Sequence, residues 1–168
     1  MPTSEKESIF TERRWLPAYT LYLLIFYKDV TVKENNVDNS NELDLTGKRI
    51  LVVDDVEINR EILFMQLEET GAICDGAANG KEAVTLFNQN QYALVLMDLH
   101  MPVMDGLCAT RNIRASSQPW ASTVPIISVT AENNAEILSK CEEAGINHIL
   151  SKPIEIEILY SAIKKFIV

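Results

Sequence analysis

Five polar positions in this chain fall at the downstream ends of short apolar runs, and their side chains are chemically complementary. Ile50-Leu51-Val52-Val53 runs into Asp54-Asp55, and Leu94-Val95-Leu96-Met97 runs into Asp98. Ile126-Ile127-Ser128-Val129 ends in Thr130-Ala131, and a weaker run, His148–Ser151, ends in Lys152-Pro153. Three carboxylates, one hydroxyl and one ammonium would meet if these runs lay side by side. Carboxylates crowded together repel, and a divalent cation removes the conflict. Hard oxygen donors suit Mg²⁺. A carboxylate can also act as a nucleophile toward a phosphoryl group. A metal and a lysine would then neutralise the charge on the transferred oxygens.

The loops carry acids where a nucleotide- or flavin-binding loop would offer Gly or Ser backbone amides to phosphate. No GxGxxG and no GxxxxGK[ST] occurs. A permanently bound phosphate ligand is therefore not expected, whereas a phosphoryl group delivered onto a carboxylate is compatible. Each piece alone is weak: Asp-Asp after a strand is usually a solvated loop pair, and a lone Thr there is usually a helix cap. The weight lies in four strand ends supplying matching chemistry in order.

The elements that would hold these residues follow from the periodicity. The apolar runs lack alternation, as strands buried on both faces of a parallel sheet do. A further weak strand fits Ile73–Ala77. Helical patterns occupy Asn59–Thr70, Lys81–Asn88, Asp105–Arg114, Asn134–Ala144 and Glu155–Ile167, and Gly71 and Gly145 sit where helix C-terminal glycines belong. The order is βα repeated five times. Right-handed crossovers then predict an α/β fold, a doubly wound five-stranded parallel sheet with helices on both faces. In such a sheet ligands bind beyond the carboxyl ends of the strands, where the polar set falls.

Composition sets the outer bounds. The 168 residues are 47% apolar and 23% charged, values of a globular chain of about one domain. The net charge of −9 disfavours nucleic acid and anionic membrane. Cys74, Cys108 and Cys141 form no CxxC, so neither a zinc site nor a disulfide framework is indicated, and a cytoplasmic setting is expected. Residues 1–46 divide from 47–168. Within the first part, Trp15–Tyr27 is 13 residues of mainly apolar sequence, too short for a membrane span of about 20 and without a signal-peptide cleavage site. It reads as a packed helix or strand, a remnant of a larger protein, or a partner-docking or membrane-surface helix. Residues 33–46, polar and Asn-rich, read as a linker.

The motifs ILVVDD (Ile50–Asp55), MDLHMPVMDG (Met97–Gly106), SVTA (Ser128–Ala131) and SKP (Ser151–Pro153) resemble the receiver domain of two-component response regulators, a flavodoxin-like fold, over roughly residues 47–168. VDDVEINRE, AGINHILSKP and the opening GKRILVVDD are most similar to receivers of hybrid sensor histidine kinases, although no phosphodonor-His helix or ATP-lid motif occurs in residues 1–46. The resemblance implies that Asp98 is the phosphoacceptor. It implies Mg²⁺ held by Asp55 and Asp98, with Asp54 helping through water and the His100 backbone carbonyl as a further ligand. Thr130 would bond the phosphoryl oxygen. Lys152 would pair with it, next to a Lys–Pro bond that is usually cis in the family. The implied partners are a histidine kinase or histidine phosphotransfer protein, with homodimerisation through the last two helices as an option.

Two positions depart from the family pattern. The switch position, three before the lysine, is usually Tyr or Phe and here is Ile149, so the coupled output is expected to be weaker or different. Val56 stands where many relatives are polar and is expected to alter partner contacts rather than the metal. Other residues read as structural. The His100 ring is expected at the pocket mouth, His148 on the surface, Trp120 exposed or half-packed, and Met97, Met101 and Met104 in core and loops. Ile156, Leu159, Ile163 and Phe166 form a stripe that is core first and interface second. The rival readings are a pseudo-receiver interaction module, which the intact acidic set disfavours, and an aspartyl-nucleophile phosphatase, which would place an acid where His100 stands. A DNA-binding regulator is disfavoured because the chain ends at Val168, after the fifth helix.

Overall fold

A computed structural model describes residues 43–132 and 134–167. Strands β1 (Arg49–Val53), β2 (Ile73–Ala77), β3 (Leu94–Asp98), β4 (Ile126–Thr130) and β5 (His148–Ser151) alternate with helices α1 (Glu57–Glu68), α2 (Gly80–Gln89), α3 (Gly106–Arg114), α4 (Ala135–Ala144) and α5 (Ile156–Ile167). The sheet is parallel throughout, in the order β2-β1-β3-β4-β5. Every residue of β3 and β4 is buried, as expected of central strands covered on both faces.

The two faces have separate cores. Ile50, Val52, Leu94, Leu96, Ile127 and Val129 pack with Leu63 and Leu67 of α1 and Leu159 and Ile163 of α5. Leu51, Val53, Val95, Met97 and Ile126 pack with Phe87 of α2 and Ile113 of α3. A smaller cluster of Leu99, Ile137 and Cys141 seats α4, with Leu107, Ile146 and Ile149 against it. Alternation along each strand divides its side chains between these layers.

Local signals account for most element ends. Asn79, Asp105 and Asn134 accept hydrogen bonds from the backbone N–H three residues on and so cap α2, α3 and α4. Gly145 takes the left-handed conformation (φ 91°) that closes α4. Helix α1 starts two residues before the expected Asn59. Its N-cap residue, Val56, has no capping side chain. Asp54 accepts the Val56 N–H instead, at 2.9 Å, and so supports an earlier start.

Residues 43–45 depart from the linker reading of 33–46. Leu43 and Leu45 are buried in the α1/α5 core, and the Leu45 N–H donates to the Thr70 carbonyl at 2.8 Å. Two leucines at spacing two reach one surface from an extended segment, even in a polar context. Residues 1–42, and with them the apolar segment 15–27, lie outside the described residues. No helix among the described residues is long and apolar enough to cross a membrane.

Candidate functional site

The carboxyl ends of β1 and β3, neighbours in the sheet, bring Asp54, Asp55 and Asp98 together. One carboxylate oxygen from each lies within 4.8 Å of the others. Asp54 and Asp98 are buried and Asp55 is exposed. Lys152, just beyond β5, reaches across: its Nζ is 2.6 Å from Oδ2 of Asp54 and 2.6 Å from Oδ2 of Asp98. Burial opposes the charge on Lys152. The hydrogen bonds and negative charges of Asp54 and Asp98 outweigh it, so the ammonium is held above the ordinary lysine value. The Lys152–Pro153 peptide bond is cis.

Thr130 ends β4 and is fully buried. Its hydroxyl accepts the Glu132 N–H at 3.1 Å, and its carbonyl accepts the Lys152 N–H at 2.8 Å. The His100 N–H donates to Oδ1 of Asp98 at 3.2 Å. The His100 ring points outward, its Nε2 3.4 Å from Glu132 Oε1, with both side chains more than half exposed. This pair spans the loops after β3 and β4 at the mouth of the acidic site, and the His100 ring takes no place in the carboxylate cluster.

Ile149 is half-buried and packs against Leu99, Ile137 and Cys141 beneath α4. His148 points to the opposite face of β5, as the alternation requires, but it is partly covered rather than a freely exposed surface residue. It is half-buried, with its ring 6.0 Å from that of Phe166. The reason is tertiary: α5 folds back along β5 and covers it. Val56 is exposed, and it meets the site through its backbone: its N–H donates to Asp54 and its carbonyl accepts from the Asn59 and Arg60 N–H groups. Trp120 is half-packed on the α2/α3 core. Met97 and Met101 are buried and Met104 is half-buried. Burial raises the Cys74 thiol to about 11, which makes it an inert packing group.

Three residues at the site escaped the reading of the sequence. Asn59 Nδ2 lies 3.0 and 3.1 Å from the two Asp54 oxygens. Arg60 NH1 donates to the Asp54 carbonyl at 2.7 Å. Glu132 faces His100. An amide and a guanidinium in the first turn of the helix after an acidic loop were the available signal for the first two.

The chemistry of the donor set fits a small hard cation. The oxygens are anionic, they converge, and an ammonium already neutralises two of them. This site stands at the carboxyl edge of a β2-β1-β3-β4-β5 sheet, closed by Lys152 just beyond the last strand. The chain belongs to the response regulator receiver domain family, which residues 50–164 match, and it is a receiver domain of two-component signalling. It is 40% identical over 130 residues, 73% of its length, to a sensor histidine kinase, RcsC, of Escherichia coli. The matched region is 13% of that kinase. Among solved structures it is similar to the receiver domain of a sensor histidine kinase from Pseudomonas aeruginosa, solved with a magnesium ion coordinated in the active-site cleft. The TM-score is 0.67 and the identity 34%, over 73% of this chain and 98% of that one. It is also similar to the receiver domain of Saccharomyces cerevisiae Ssk1 in complex with the histidine phosphotransfer protein Ypd1. There the TM-score is 0.65 and the identity 30%, over 71% and 88%.

Proposed function

We propose that this domain is a phosphoacceptor switch of a cytoplasmic phosphorelay, with Asp98 the residue that takes the phosphoryl group from a phosphohistidine. The observation that carries this reading is the state of the Asp98 carboxylate. It is buried at a strand end, paired with Lys152, and within 4.8 Å of two further acids. In the transfer, an Asp98 oxygen forms a bond to phosphorus as the bond from phosphorus to the donor's imidazole nitrogen breaks. The imidazole keeps the electron pair. Mg²⁺, when bound, supplies charge neutralisation for the phosphoryl oxygens. Asp55 and Asp98 would hold it, with Asp54 helping through water and the His100 backbone carbonyl as a further ligand.

Lys152 already sits on Asp98 and is placed to pair with a phosphoryl oxygen carried there. Thr130, whose hydroxyl now accepts from Glu132, would turn that hydroxyl to the phosphoryl group and draw its loop with it. Ile149 lies one strand over, under α4. The population shift would therefore be read through α4 and α5. The donor is proposed to be a histidine kinase or a histidine phosphotransfer protein. The similarity to the Ssk1 receiver, solved with its phosphotransfer partner, supports that choice. The chain would act as the receiver segment of a larger sensor kinase or as its relay partner.

The test is beryllofluoride, a stable phosphoryl mimic, added with Mg²⁺ to the wild type and to Asp98→Asn. The expected result is a joint shift of the Asp98, Thr130, α4 and α5 amides in the wild type and none in the variant. Shifts confined to the pocket would keep the acceptor and remove the switch. Binding that survives in Asp98→Asn would overturn the acceptor. Failure of the wild type to bind would leave a pseudo-receiver whose work lies in its surfaces.

A further inference from the structure

Asp54 is the most heavily engaged acid of the site. Its Oδ1 accepts from the Val56 N–H at 2.9 Å and from Asn59 Nδ2 at 3.0 Å. Its Oδ2 accepts from Asn59 Nδ2 at 3.1 Å and from Lys152 Nζ at 2.6 Å. A carboxylate offers about four lone-pair positions, and all are taken. Asn59 accounts for two of them, and its neighbour Arg60 holds the Asp54 backbone carbonyl at 2.7 Å. The first turn of α1 thus grips Asp54 by side chain and main chain together. Asp55 is the opposite case: it is exposed, and among the described residues its carboxylate has no hydrogen-bond partner. Asp98 is intermediate, with one donor on each oxygen.

We infer that Asn59 is a positioning residue that keeps Asp54 from ligating a cation directly and thereby sets the ion preference of the site. The inference rests on the Mg²⁺ reading above. With Asp54 saturated, the protein offers an incoming ion few direct side-chain oxygens. Mg²⁺ keeps several of its waters and is satisfied by one or two carboxylates, whereas Ca²⁺ seeks six to eight oxygen ligands and tolerates irregular placement. A locked Asp54 therefore favours Mg²⁺. Removing the amide would open one lone-pair position on each Asp54 oxygen, leaving the Val56 N–H on Oδ1 and Lys152 on Oδ2, the state Asp98 already has, and that helps Ca²⁺ more.

The experiment is calorimetric titration of the full chain with MgCl₂ and with CaCl₂, in the wild type, Asn59→Leu and Asn59→Gln. Asn59→Leu should raise the Ca²⁺ affinity relative to Mg²⁺ by about tenfold, given the loss of hydrogen bonds to a charged group. Asn59→Gln keeps the amide donor and should restore part of the wild-type ratio, which a purely structural role for the side chain would not produce. A second readout needs no variant. In the wild type, Mg²⁺ should move the carboxyl-carbon NMR signals of Asp55 and Asp98 more than that of Asp54. Mg²⁺ binding with an unchanged ratio in Asn59→Leu, or an Asp54 signal that moves as far as that of Asp55, would overturn the inference and leave the Mg²⁺ site standing. A wild type that binds neither ion would overturn both.

Discussion

A methyl group added at Gly106 would stand 2.0 Å from the backbone carbonyl oxygen of Asp98. Gly106 is the first residue of α3, and its own N–H donates to the Leu99 carbonyl at 3.0 Å. Helix α3 therefore starts flush against the end of β3, and only a residue without Cβ permits that approach. Gly106→Ala must push α3 away from the strand or move Asp98 itself. We expect a loss of about 3 kcal/mol and weaker Mg²⁺ binding, measured by urea unfolding and metal titration. A stability within about 0.5 kcal/mol of wild type would show that α3 shifts without cost.

Lys152 neutralises two buried acids at 2.6 Å each. Lys152→Met leaves Asp54 and Asp98 without a cation, and breaking a buried pair costs about 3 kcal/mol. Urea unfolding without metal should show that loss. Adding MgCl₂ should recover more stability in the variant than in the wild type, because the ion takes over the same neutralisation. Equal gains in both proteins would contradict this account.

Arg114 ties together the end of the molecule remote from the acids. Its guanidinium donates to the carbonyls of Ala121 and Val124 at 2.8 Å, to the Gly145 carbonyl at 2.8 and 3.0 Å, and to the Asn147 side chain at 2.8 Å. Replacement by Met leaves these carbonyls unsatisfied, at about 1–3 kcal/mol for each one that water fails to reach. The expected total is about 3 kcal/mol. Hydrogen exchange should quicken most in residues 115–125 and at the α4–β5 turn. Uniform quickening across the sheet would speak against a local role.

Val103 is a β-branched residue with φ 70° and is mostly exposed. That conformation costs a non-glycine residue about 1–3 kcal/mol, and Asn tolerates it better. Val103→Asn should therefore raise stability by about 1 kcal/mol with no loss of buried contact. A lower denaturation midpoint would mean that the Val103 side chain contributes packing of its own.

His148 gives the fold a pH dependence. Burial, then the charge of Lys165, lowers its pKa below the ordinary 6.5, while Glu157 and Lys165 border the same groove. The unfolded chain binds the proton more readily than the folded one. Stability is therefore complete above about 6.5 and falls as the pH drops from there through the folded-state value. The wild type should lose more stability than His148→Gln between pH 7.5 and 5.5, the difference being read from urea midpoints. Identical losses in the two proteins would exclude His148 as the source.

The strands, the helices and the convergence of polar side chains at the strand ends were legible from residue order alone. Short runs such as Leu94–Met97 and the caps Asn79, Asp105 and Asn134 act over a few residues, and local rules reach that far. Parallel strands then carry the residues after them to one edge, so the sequence alone groups Asp54, Asp55, Asp98, Thr130 and Lys152. What the fold alone decided is which of them touch. The Lys152–Asp54 contact closes over 98 residues of sequence and depends on β5 lying at the far edge of the sheet. The burial of Leu43 and Leu45, the cover of α5 over His148 and the meeting of Gly106 with the Asp98 carbonyl are of the same kind. Asn59 is the instructive case. It lies five residues from Asp54, yet its bond to both carboxylate oxygens needs the turn of the loop, the start of α1 at Glu57 and the anchoring of Asp54 by Lys152. Residue type and periodicity specify the elements, and the angles at which packed elements meet specify the hydrogen bonds between them.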